Sequence, residues 1–209
     1  KLQLTLVTGP PGVGKTTLLS GIAACSGKTL LLAPTLELCK SARNRFKDVQ
    51  TVALAALSKK RDLRKYSTVM ITEAGMMTAA QCSSIVGKLS ANAQMYLDLD
   101  PFQIPAVLGA KDQPLHKSPT FEYMLQQPET RLLRLFRQFR TKNRRVLNVI
   151  KAVQDNNRMH LESALLELIS GSLVNADDVP YNENTIAVAH THRIRNWHWK
   201  RYCALNNLT

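Results

Sequence analysis

The sequence predicts an α/β fold in which a parallel sheet carries helices on both faces. Short apolar runs recur through the first half of the chain, and the stretches between them have the apolar spacing of helices. A hydrophobic content of 44% over 209 residues is enough to bury the core that such a sheet needs. Leu2 to Val7 alternates and then runs apolar, as a buried strand does. A turn-forming segment from Gly9 to Gly14 separates it from Thr16 to Ala24, which is spaced as a helix. Thr29 to Ala33 is a second apolar strand halted by Pro34, and Leu36 to Phe46 reads as a helix with Leu38, Ala42 and Phe46 on one face. Thr68 to Ile71 is a third strand, Thr78 caps a helix reaching about Leu89, and Gln94 to Leu99 is a fourth strand broken by Pro101.

From Gly109 to about Pro128 the pattern loosens into a surface segment punctuated by Pro114, Pro119 and Pro128, and a domain boundary is expected there. The reading is a first domain over 1–128 and part of a second over 129–209. The second opens with a strand from Leu132 to Phe136. Thr141 then caps a helix whose buried stripe is Val146, Leu147, Val149, Ile150 and Val153. A helix from Leu161 to Ile169, a strand from Thr185 to Ala189 and a final helix follow. No internal repeat appears.

The 28 Lys and Arg residues against 15 Asp and Glu give a net charge of +13, a field that gathers polyanions and favours nucleic acid as partner. Four cysteines, Cys25, Cys39, Cys82 and Cys203, lie far apart without a C-x-x-C pair, which argues against a disulfide framework or a zinc ribbon. No apolar stretch approaches the roughly 18 residues of a membrane span, and Lys1 opens directly into a strand-like run. A cytosolic or nuclear setting is expected, and a viral genome would suit so compact a core.

Gly9-Pro10-Pro11-Gly12-Val13-Gly14-Lys15-Thr16 matches G-x-x-x-x-G-K-[ST] in full and sits between a buried strand and a helix start, where the chemistry of phosphate binding requires it. Glycines let backbone N–H groups turn inward around phosphate oxygens, and the helix N-terminus adds a favourable dipole. The segment from Gly9 through Thr17 is therefore the expected cradle for ATP or another nucleoside triphosphate. Lys15 would reach the β and γ phosphates, and Thr16 would coordinate Mg²⁺. Glu73, just past the strand Thr68 to Ile71, is the candidate to activate water and to join the metal shell.

Several motifs in order resemble those of superfamily 1 helicases, whose nucleotide site lies between two RecA-like domains. Ala33-Pro34-Thr35 looks like the segment after the second strand that touches nucleic acid in the family, so Pro34 and Thr35 become candidate strand contacts. Thr72-Glu73-Ala74-Gly75-Met76 resembles the acidic Asp-Glu-Ala-Ser-Met motif, and Asp100-Pro101-Phe102-Gln103-Ile104-Pro105 resembles Gly-Asp-x-x-Gln-Leu-Pro, whose Gln senses the γ-phosphate. By that resemblance Gln103 is a catalytic candidate. Leu135-Phe136-Arg137-Gln138 resembles the motif opening the second RecA-like domain, which makes Arg137 the candidate arginine finger. Thr185 to Asn196 looks like the corresponding strand and helix start of the RecD-like branch. The resemblance implies a RecA-like P-loop NTPase that couples ATP and Mg²⁺ to movement on single-stranded DNA or RNA.

The departures from the family pattern bear on activity. Thr72 stands where the family has its metal-associated Asp, and a neutral hydroxyl is a weaker partner for hydrated Mg²⁺ than a carboxylate. Leu99 stands where the family has Gly. The family's later motifs and its upstream adenine-recognising segment are not seen, so the chain reads as a fragment or a degenerate relative, completed by a protein partner or a missing C-terminal segment. Such a chain is expected to hydrolyse ATP poorly and to unwind nothing alone. Two alternatives stand beside the helicase: a catalytically silent nucleotide- or nucleic-acid-binding module, and another P-loop ATPase or nucleotide kinase. Basic clusters at Lys59-Lys60-Arg61 with Arg64 and Lys65, at Arg131 through Arg145, and at Arg193 through Arg201 around Trp197 and Trp199 are candidate strand contacts, with Arg193 and Trp197 foremost. His190, His192, His198 and Cys203 match no closed tetrahedral metal pattern.

Overall fold

Six strands among the described residues build one sheet: β1 (Gln3–Thr8), β2 (Thr29–Ala33), β3 (Asp48–Thr51), β4 (Thr68–Ile71), β5 (Gln94–Leu99) and β6 (Arg131–Arg134). The computed structural model describes residues 2–58, 62–100, 102–103, 113–169, 200 and 203–204. The strand order is β3-β2-β4-β5-β1-β6, and every neighbouring pair is parallel. Parallel neighbours require crossovers, and α1 (Lys15–Cys25), α2 (Leu36–Ala42), α3 (Val52–Leu57), α4 (Ala79–Val86) and α5 (Pro119–Gln126) supply them, with α6 (Arg144–Gln154) and α7 (Arg158–Ile169) after the last strand.

The period of two along each strand divides the core into two layers. Leu4, Leu6, Leu30, Leu32, Val69, Ile71, Met95 and Leu97 face one side, where Ala55, Cys82, Ile85 and Phe121 from α3, α4 and α5 cover them. Val7, Leu31 and Met70 face the other, against Leu19 of α1 and Ala42 and Phe46 at and beyond the end of α2. Strands buried on both faces read as continuous apolar runs, which is why β2 and β4 were visible without alternation.

The sequence reading missed β3, α3 and α5. β3 reads Asp-Val-Gln-Thr at the sheet's edge, half-buried throughout, and has no apolar run to announce it. α3 is six residues long, too short for helical periodicity, and its C-terminal carbonyls are held from outside: Lys88 Nζ donates to Ala55 O at 2.7 Å, Ala56 O at 2.6 Å and Ser58 O at 3.1 Å. Within the stretch read as a loosened surface segment, Pro119 occupies the first turn of α5 and Ser118 caps it by accepting from Phe121 N at 3.2 Å. A proline taken for a breaker thus starts a helix. The helix expected to run to Phe46 ends at Ala42.

The strand expected to open a second unit is instead the edge of this sheet. β6 pairs Thr5 with Arg131 through Thr8 with Arg134, and Leu135 N continues the ladder to Thr8 O at 2.8 Å. Those hydrogen bonds carry the first compact unit past the expected boundary at 128, to Ala164; Leu165–Thr209 forms the other unit. The expected strand Thr185 to Ala189 and final helix fall outside the described residues, apart from isolated positions. Among the described residues no helix is long and apolar enough to cross a membrane.

Candidate nucleotide site

β1, β4 and β5 end side by side, and the residues that follow them meet at the N-terminus of α1, the edge of a parallel sheet where ligands bind. Gly9, Gly12 and Gly14 have φ of 149°, 85° and 89°. An L side chain rarely adopts such angles, so glycine is required for the loop's shape. Gly14 caps α1 without a side-chain hydrogen bond and no acidic residue lies in the first turn, so the helix's leading N–H groups are left for an anion. Val13 is buried at 3% exposure and anchors the loop to the core.

Lys15 follows as the first residue of α1, with only 6% of its surface exposed. Its Nζ donates to Gly9 O at 2.8 Å and Pro10 O at 3.3 Å and lies 3.8 Å from Asp98 Oδ1. A cavity of roughly 530 Å³ opens beside it, lined by Pro11, Gly12, Gly14, Lys15, Thr16 and Thr17 of the loop together with Thr72, Glu73, Asp98, Gln103, Arg45 and Arg140. That size suits a nucleotide. Of the nominated catalytic residues, Lys15, Glu73 and Gln103 therefore share one wall.

Glu73 has a left-handed backbone, φ 51° and ψ 44°, at the head of a 3₁₀ turn over Ala74–Met76. A non-glycine residue held there costs on the order of 1 kcal/mol or more, and such strain gathers at functional sites. Gln103 is positioned by a turn in which Asp100, 4% exposed, accepts from Phe102 N at 3.0 Å through Oδ1, while Gln103 N donates to Asp100 O at 3.3 Å.

Asp98 was missed by the sequence reading. It sits in a strand of apolar character, and only the sheet register reveals its place. Ile71 pairs with Leu97, so the next residue of each strand brings Thr72 beside Asp98, and Val7 pairs with Asp98 from the other side. Asp98 therefore faces α1. Thr72 Oγ1 donates to Asp98 Oδ2 at 3.2 Å, and Oδ1 has no hydrogen-bond partner. The carboxyl is pushed up to about 6, chiefly by burial and with help from the Glu73 and Asp100 charges, against the opposing pull of Lys15 and the Thr72 hydrogen bond.

Arg137, the expected arginine finger, is not among the cavity's lining residues. It is exposed and stacks on the Phe139 ring at 5.2 Å, whereas Arg140 lines the cavity. The segment carrying them lies on the loop: Phe139 N donates to Gly12 O at 2.9 Å and Gln138 Nε2 to Pro11 O at 2.6 Å. The sequence offered Arg131, Arg134, Arg137 and Arg140 at equal spacing, with nothing in the composition to single out the last.

Pro34 and Thr35 lie outside the cavity lining, and Thr35 has a structural task, capping α2 by accepting from Leu38 N at 3.3 Å. Gly9 and Pro10 line a second, apolar cleft of roughly 420 Å³ with Phe102, Phe121, Leu132 and Phe136. Arg193, Trp197, Lys59, Lys60 and Arg61 fall outside the described residues, as do His190, His192 and His198. Among the described residues no group of three or more His, Cys, Asp and Glu side chains could hold a metal alone. One or two carboxylates beside a phosphate pocket are instead the donor set of Mg²⁺ carried by a nucleotide, and the buried Oδ1 of Asp98, which accepts no hydrogen bond, fits that demand.

The AAA domain family matches residues 1–167. Among solved structures, Pif1 helicase from Bacteroides in complex with ADP-AlF3 and ssDNA is similar at a TM-score of 0.66 and 20% identity, over 95% of this chain and 52% of that one. Pif1 helicase from Candida albicans is similar at 0.64 and 16% identity, over 100% of this chain and 52% of that one. The chain spans about half the length of the solved structures it matches. No curated protein sequence matches. At these identities the structural likeness is one of fold: the parallel sheet and its helices form a RecA-like P-loop NTPase fold, as in those Pif1 structures. By its match over four-fifths of its length, this chain belongs to the AAA domain family.

Proposed function

We propose that this chain is the nucleotide-binding motor core of an ATP-dependent helicase or translocase that acts on single-stranded DNA or RNA. The observation that carries the reading is the convergence of Lys15, Thr16, Glu73 and Gln103 on one nucleotide-sized cavity at the loop Gly9 to Thr17. Lys15 leaves the Gly9 and Pro10 carbonyls to bind the β and γ phosphates, while the open N–H groups of α1 hold phosphate oxygens. Thr16 and Glu73 would hold the Mg²⁺ that arrives with the nucleotide, and the ion would neutralise charge on the phosphates. Glu73 orients the attacking water and takes its proton as the bond between γ-phosphorus and bridging oxygen breaks. Arg140, which lines the cavity, joins Arg137 as a candidate for the arginine finger that meets the charge developing there.

Gln103 lines the cavity next in sequence to the exposed Phe102 and passes the state of the γ-phosphate toward the strand path. The exposed arginines 131, 134, 137, 140 and 144 supply phosphate contacts along that path, with Pro34, Thr35, Arg193 and Trp197 as further candidates. The RecD-like branch rests on the segment Thr185 to Asn196 alone.

A motor differs from a plain P-loop ATPase in coupling its two ligands. Titrating a single-stranded oligonucleotide, DNA and then RNA, with and without a non-hydrolysable ATP analogue tests that coupling. A shift in strand affinity of roughly 5- to 150-fold is expected. Nucleotide binding that leaves strand affinity untouched would favour the other P-loop ATPases.

A further inference from the structure

β5 places a carboxylate against the phosphate loop with a hydrogen-bond demand left unmet. Asp98 is 1% exposed, one oxygen accepts from Thr72, and the other has no hydrogen-bond partner although it lines the nucleotide cavity. A buried carboxylate oxygen without a donor is costly. Lys15 meets the demand only as an ion pair: its hydrogen bonds go to Gly9 O and Pro10 O, and its Nζ lies 3.8 Å from Asp98 Oδ1, too far for a hydrogen bond. A negative charge beside the lysine also opposes the arrival of a polyphosphate, unless a cation arrives with it. Thr72, at the end of the neighbouring strand, carries no charge of its own and spends its hydroxyl proton on Asp98.

We propose that Asp98, oriented by Thr72, is the carboxylate that secures the hydrated Mg²⁺ of the bound nucleotide. The assignment rests on the nucleotide reading above and adds a residue to it. Thr16 contributes its hydroxyl from the loop, and Asp98 contributes the negative charge that an NTP-binding site of this type needs at a strand end. Mg²⁺ keeps several of its waters, so an oxygen set back on β5 holds it through them. Thr72 at the end of β4 and Asp98 on the neighbouring β5 face the same cavity, so a carboxylate on β5 reaches the place where Thr72 brings none.

The test is an equilibrium titration of ADP by calorimetry, in excess EDTA and across a series of Mg²⁺ concentrations. It compares wild type, Asp98→Asn, and the exchange Thr72→Asp with Asp98→Thr. In wild type, Mg²⁺ tightens ADP binding. Asp98→Asn is expected to bind ADP without metal at least as tightly as wild type, because a charge opposed to the phosphates is gone, and to raise the Mg²⁺ concentration for half the effect by about 10- to 100-fold, while the exchange restores it. Asp98→Asn is nearly isosteric and keeps an acceptor for Thr72; should it fail to melt cooperatively, the exchange carries the same test. An unchanged Mg²⁺ dependence in Asp98→Asn would overturn the proposal, and so would a gain in metal-free affinity with that dependence kept, which would make Asp98 only a partner of Lys15. A folded exchange variant without Mg²⁺ enhancement would overturn it too. Wild type that binds no ADP under either condition would instead overturn the nucleotide reading itself.

Discussion

Asp98 shows how one side chain can cost stability and serve a site. Its carboxyl is raised toward 6 by burial, so the folded protein holds this proton more tightly than the unfolded chain does. The contribution to stability is fully present below the unfolded pKa of roughly 4 and is lost as pH rises through about 6. Without nucleotide or metal, Asp98→Asn should therefore gain stability relative to wild type between pH 4.5 and pH 7.5, read from urea unfolding at both; a constant difference would contradict it. The cysteines offer a second check. Cys82 is fully buried and its thiol is pushed up to about 12, whereas Cys25 is exposed. Alkylation at pH 8, followed by mass spectrometry, should modify Cys25 and spare Cys82 until the protein is denatured. None of this was legible in the sequence. An Asp inside an apolar strand announces nothing until the register sets Thr72 on one side and Val7 on the other. The loop from Gly9 to Thr16 was legible because its glycines, lysine and threonine are each required by local backbone geometry and phosphate chemistry.

The elements divide by where their stability originates. β1, β2, β4 and β5 announced themselves because strands buried on both faces must be apolar, and α4 because Thr78 accepts from Gln81 N at 3.2 Å while Gln81 Oε1 accepts from Thr78 N at 3.0 Å. α3 is held by distant groups, Lys88 Nζ and Ser84 Oγ on its last carbonyls, and distant contacts leave no local signature. Lys88→Met should cost about 1–3 kcal/mol in urea unfolding, since several charge-assisted bonds to buried carbonyls are lost together. The phosphate loop and the segment after β6 form a second dependent pair. A Cβ on Gly12 would fall on the Gln138 side chain and 2.6 Å from Arg140 Cβ, at a φ of 85° that side chains avoid. Gly12→Ala is therefore expected to destabilise the fold by roughly 1–3 kcal/mol and to weaken nucleotide binding together. Loss of binding with stability unchanged would show that the segment does not press on the loop.

Across the whole molecule, the basic composition and the position of the cavity point the same way. A net charge of +13 on a chain whose described arginines stand exposed from β6 onward favours a polyanionic track running past the nucleotide. Strand binding through phosphate contacts should weaken steeply with salt and show little sequence preference. The most direct test of the motor reading is steady-state ATP turnover at low salt, with and without single-stranded DNA or RNA, in wild type and in Lys15→Ala. The expected result is turnover that rises with single strands and falls by about 100-fold or more when the lysine is removed. Nucleotide bound without turnover, or turnover indifferent to every strand, would contradict it.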